Sequence, residues 1–238
     1  TLADTAGLVI AGNSFDAANK RQSDGGLVAL LLQDLSFPAR IEDNRILGFV
    51  FGIVLNNGLL TGAPFSLAAG STIAGNYIVR LGVALENATI KAFGIDVAAD
   101  GCVISDNILL YNSPEYGGIS VSGRNAVVER NQLRSMLKEA GTVRPIALLL
   151  AKLGANGSLG SVGGRLSGNL LLGVQDGIVV IGNEGAELHD NRVESETQEV
   201  GFGILLVASS RARLQGNRLT NTTWSIATSG GTANVLVD

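Results

Sequence analysis

The chain has 238 residues, with 32 glycines, 4 prolines, 5% aromatic residues and a formal net charge of −4. That mild acidity, with no basic patch or aromatic platform, excludes an electrostatically driven nucleic-acid binder. The single cysteine excludes an intramolecular disulfide framework and a Cys-based zinc site, and the strongest apolar run, "IALLLAKLG" (146–154), is too short to span a membrane.

Along the chain, short apolar runs alternate with Gly- and Asp-rich breaks, the pattern of short strands joined by tight turns. One phrase recurs around Asn13, Asn44, Asn76, Asn107, Asn131, Asn169, Asn191 and Asn217. Three residues before each asparagine stands Ile10, Ile41, Ile73, Ile104, Val128, Leu166, Leu188 or Leu214. Two residues after stands Phe15, Ile46, Ile78, Leu109, Leu133, Leu171, Val193 or Leu219. The residue just before the asparagine is Gly, Asp or Arg. A second phrase interleaves with the first: "GLVA" (26–29), "GIVL" (52–55), "GIDV" (94–97), "GISV" (118–121), "PIAL" (145–148), "GIVV" (177–180), "GILL" (203–206) and "SIAT" (225–228).

These two phrases make a repeat of roughly 22 residues, lengthened in some turns by insertions. A unit so small cannot close its own core, so successive turns must stack about 4.8 Å apart and convert each aliphatic column into a continuous row. The apolar positions flanking the asparagine are five residues apart, which breaks strict alternation and requires a bend. Asparagine tolerates the left-handed backbone conformation that such a bend needs, and its amide can bond to the amide of the next turn. We therefore expect an all-β solenoid of roughly eight to ten turns, with an asparagine ladder at one corner. It forms a single domain over residues 1–238 and reads as a segment of a longer chain. The stretch "GVALENATI" (82–90) is open to two readings, an extra compressed turn or an insertion.

The pattern "GIxV … A-x-I-x-x-N-x-I" resembles the right-handed parallel β-helix of pectate lyases, phage tailspikes and related carbohydrate-binding proteins and sugar hydrolases. The resemblance covers the chain from about Leu8 to Val237 and is specific for architecture rather than activity. It implies polysaccharide partners, an extracellular or cell-surface location, and a homo-oligomer or neighbouring domains covering the solenoid ends.

The outward positions of the "GIxV" strands hold one carboxylate, Asp96, and no base, which argues against a calcium-dependent lyase. The loops before those strands carry Glu115, Glu139, Asp176, Glu194, Glu196 and Glu199, from which a hydrolase could draw paired carboxylates. Tyr111 and Tyr116 are candidate sugar-stacking platforms, with Arg144 as a further binding residue. Leu149, Val179, Ile181, Leu205 and Val207 fall on consecutive turns of one outer face. That face is either an interface or is covered by the insertions at 59–70 and 152–163. The expected function is a non-catalytic or vestigial scaffold for surface attachment, assembly or glycan contact. The alternative is a polysaccharide-active enzyme, a hydrolase rather than a lyase, with its site on those loops. No cofactor or metal is expected.

Overall fold

The computed structural model describes residues 7–17, 28–33, 35–56, 68–80, 92–112, 116–136, 145–151, 161–195 and 201–238. Its strands form three parallel sheets of nine, eight and eight members, here named A, B and C, with a small two-stranded sheet between Ser161–Val162 and Asn183–Glu184. Each turn contributes one strand to A, one to B and one to C, as in Val103–Ser105, Ile108–Tyr111 and Tyr116–Val121. Neighbours within every sheet come from adjacent turns, an arrangement compatible with a parallel β-helix.

The interior is built from the columns seen in the repeat. Ile41, Ile73, Ile104, Val128, Leu166, Leu188 and Leu214 stack in register in the A sheet. Ile46, Ile78, Leu109, Leu133, Leu171 and Val193 do the same in the B sheet. Each of these side chains is at most 2% exposed. Full burial of one such side chain contributes about 1.5–3 kcal/mol, so the rows are the main source of cohesion.

The corner between the A and B sheets is an amide ladder. The Nδ2 of each asparagine donates to the Oδ1 of the next, from Asn13 through Asn44, Asn76, Asn107, Asn131, Asn169 and Asn191 to Asn217, at 2.9–3.1 Å. The backbone N–H of each donates to the same oxygen, at 2.9–3.1 Å. From Asn44 onward, the Nδ2 also donates to the carbonyl of the inward aliphatic residue one turn back, at 2.7–2.9 Å. These bonds let polar groups sit fully buried without loss.

The structure corrects three expectations. The left-handed residue is not the asparagine but its predecessor: Gly12, Asp43, Gly75, Asp106, Arg130, Gly168, Asp190 and Gly216 all have φ between 53° and 67°. Turning there leaves the asparagine side chain pointing inward, where it can reach the next turn. The strand Ile146–Ala151 is set two residues from the expected alignment, with Leu148 rather than Ile146 beside Ile119. Likewise Leu30, not Leu27, lies beside Ile53, which turns Leu31 outward. The reason lies in the glycine of "GIxV", which faces the inner side of the B sheet at a bend. A Cβ on Gly94 would stand 2.7 Å from the Leu109 Cδ2, and one on Gly177 would stand 2.6 Å from the Val193 Cγ1. Only a small residue fits this column, and the fully buried Ala147 is the one that fills it in its turn.

No additional turn lies between Asn76 and Asn107. Thr72–Ala74 pairs directly with Val103–Ser105, Tyr77–Arg80 with Ile108–Tyr111, and Phe51–Asn56 with Ala92–Ala98. Residues 82–90 themselves lie outside the described residues.

Candidate functional site

Two places depart from the regular pattern, the outer face of the C sheet and the interior of the corner between B and C. On the C face, Leu149, Val179 and Leu205 form one column, and Ile181 and Val207 sit side by side in the next. Val179 is 4% exposed, and the other four are half-buried. The apolar strip thus spans three successive turns. The insertions proposed to cover it lie largely outside the described residues.

Asp96 occupies the same outer face two turns before Leu149, with Val54 on one side and Ser120 on the other. Burial holds its carboxyl above the ordinary aspartate range, and a hydrogen bond from Ser120 partly offsets this. Ser120 and Ser122 are themselves buried.

The carboxylates expected on the loops are not gathered into a facing pair among the described residues. Asp176 begins the C strand Asp176–Ile181, is 8% exposed and accepts the N–H of Phe202 at 3.2 Å. Glu194 ends the B strand Arg192–Glu194 and takes a 2.9 Å bond from Arg192. It lines a groove of about 290 Å³ on the outer B face with Arg134, Leu170, Leu172, Gly173 and Arg192. Glu115, Glu139, Glu196, Glu199 and Arg144 lie outside the described residues.

Tyr111 and Tyr116 are not exposed platforms, being 1% and 2% exposed. Tyr111 takes an inward position at the end of its B strand, and Tyr116 opens the next C strand across the corner. With Val50 and Ala92 they form a second apolar cluster, against which Phe51 packs. Into this cluster the B strand Tyr77–Arg80 sends Arg80, 1% exposed and in register with Tyr111. Its Nη1 donates to the Gly117 carbonyl at 2.7 Å and its Nη2 to the Ala92 carbonyl at 2.9 Å. Its guanidinium carbon lies 4.1 Å from the centre of the Tyr116 ring, a cation–π contact. The Arg80 Nε and the Tyr111 hydroxyl are both buried without a hydrogen-bond partner among the described residues. Burial lowers the Arg80 pKa to about 9 and raises that of Tyr111. Alternation along the strand from Tyr77 makes Arg80 inward, a signal present in the sequence.

Elsewhere, surface charges pair across turns: Arg124 with Asp100 at 2.7 Å, Arg130 with Asp106 at 2.9 Å, Arg165 with Glu129 at 3.1 Å and Arg211 with Glu184 at 2.8 Å. Exposed pairs of this kind contribute at most about 1 kcal/mol each. His189 lies 3.6 Å from Glu187 on the outer A face. Cys102, just before the A strand Val103–Ser105, is fully buried, which pushes its thiol up to about 12. Among the described residues, no group of His, Cys, Asp and Glu could hold a metal ion, and no helix is long and apolar enough to cross a membrane.

No family profile, curated protein or solved structure matches this chain.

Proposed function

We propose that the chain is a non-catalytic right-handed parallel β-helix module of the pectin-lyase-like kind, a rigid scaffold for surface attachment, assembly or glycan contact. The observation that carries this reading is the outer C face, where Leu149, Val179, Ile181, Leu205 and Val207 form an apolar strip across three turns. Leu149, Ile181, Leu205 and Val207 keep part of their surface open, and an apolar strip left open on an outer face is the usual mark of a surface that meets another. The handedness follows from the strong preference of parallel crossovers for a right-handed path. An extracellular or cell-surface setting and polysaccharide or homo-oligomeric partners belong to the same proposal.

The second reading, a polysaccharide hydrolase, draws support from Asp96. A carboxyl held above its ordinary range is what a general acid requires. The test applies one panel of acidic and neutral polysaccharides to the wild-type chain and to a Leu205→Glu, Val207→Glu double variant. Gel retardation, sedimentation and release of reducing ends or unsaturated product are followed together. The scaffold reading expects no product, and retardation or self-association that the double variant loses. Product release that Asp96→Asn abolishes would replace it with the hydrolase reading.

A further inference from the structure

The Arg80 cluster has an electrostatic imbalance. A guanidinium is sequestered in the protein, yet its partners among the described residues are two neutral carbonyls and an aromatic face. A buried charge without a countercharge costs several kcal/mol even after relaxation, and such charges in proteins are normally paired. Two donors are left over in the same cluster, the Arg80 Nε–H and the Tyr111 O–H, both buried and without an acceptor among the described residues. They belong to residues on adjacent turns in direct register, and each is close enough to feel the other's charge. Two unanswered donors beside an unbalanced positive charge are what an anion requires. A buried water would accept both bonds, but it would leave the charge in place and bring two hydrogens that need acceptors of their own.

We propose that the Arg80–Tyr111 corner binds a small monovalent anion of halide size, held by the Arg80 Nε–H and the Tyr111 O–H. The Tyr116 ring closes one face of the guanidinium, and the Gly117 and Ala92 carbonyls fix its plane, so Nε is left as the position from which it can meet the ion. The site lies in the interior of the B–C corner and does not depend on the outer C face.

Thermal unfolding in sodium chloride or bromide, with sodium gluconate holding the ionic strength constant, tests this. Gluconate is too large to enter a buried cluster. At about 100 times the dissociation constant, chloride is expected to raise Tm by about 5 °C or more and to saturate. Tyr111→Phe should weaken the halide response, and Arg80→Met, which keeps the volume and removes the charge, should abolish it. A bromide-soaked crystal should show an anomalous peak beside the Arg80 Nε. A Tm that follows ionic strength whatever the anion would overturn the proposal, because a carboxylate of the chain would then be answering the guanidinium. A halide response that survives in Arg80→Met would overturn it equally. If both variants fail to fold, the wild-type halide titration and the bromide peak still decide the matter.

Discussion

Replacing Asn131 by alanine tests the amide ladder where it is fully enclosed. The Asn131 Oδ1 accepts the Asn107 backbone N–H at 3.0 Å and the Asn107 Nδ2 at 2.9 Å. Its Nδ2 donates to the Ile104 carbonyl at 2.9 Å and to the Asn169 Oδ1 at 3.0 Å. Alanine strips the acceptor from the Asn107 N–H and this donor from the Ile104 carbonyl. The Asn107 Nδ2 keeps Ile73, and the Asn169 Oδ1 keeps the residue-131 N–H. The Asn107 N–H, left without an acceptor, costs about 1–3 kcal/mol and the lost bond to the Ile104 carbonyl about 1 kcal/mol, so the expected loss is about 3 kcal/mol. The same change at Asn13, which is exposed and accepts no bond from an earlier asparagine among the described residues, should cost less than about 1 kcal/mol. Urea unfolding followed by circular dichroism reads both midpoints. Equal losses at the two positions would refute the ladder as a source of stability and reduce it to a by-product of stacked strands.

Gly177→Ala should destabilise by about 1–3 kcal/mol in urea unfolding, because its Cβ would meet the Val193 Cγ1 at 2.6 Å. An unchanged midpoint would mean that the bend is slack. Asp96 has a raised folded-state pKa, so its contribution to stability is complete below its unfolded pKa and is lost as pH rises through the folded value. Asp96→Asn should therefore raise Tm relative to wild type at pH 7 but not at pH 3, and an equal difference at both pH values would contradict this. Cys102, fully buried with a thiol pKa of about 12, should react with a disulfide reagent at pH 8 no faster than the protein unfolds globally. Faster labelling would place an opening motion at the start of the A strand Val103–Ser105.

The rows of the core were legible in the sequence because stacking forces the same residue type to the same offset in each turn. Asn107 with Ile104 and Leu109, or Asn191 with Leu188 and Val193, states this without ambiguity. The register of "PIALLLA" was not legible, since an unbroken aliphatic run satisfies two phases equally. The arbiter was the space at the bend, which accepts Ala147 and refuses bulk. The left-handed position is hard to find in the sequence because its residue varies among Gly, Asp and Arg, while the asparagine beside it is constant. Tyr111 and Tyr116 stand near a break between strands, where the sequence suggests exposure, yet strand parity places Tyr111 inside, and Arg80 with it, against the general preference of a cation for water.

The outward carboxylates at the left-handed column are spaced in a way that bears on how the coil counts itself. The Asp43 side chain lies over Gly75, that of Asp106 is held by Arg130, and that of Asp190 lies over Gly216. Aliphatic rows are nearly the same in every layer, so they cannot tell a correct stack from one in which a layer has been skipped. Looping out the layer of Gly75 would set Asp43 directly on Asp106, where two like charges meet one strand spacing apart. The aliphatic rows would close over the same slip largely unchanged, although the Arg80 cluster of that layer would be lost. At that layer the surface charges, which add little to the finished fold, therefore penalise a skipped turn that the aliphatic rows alone would tolerate.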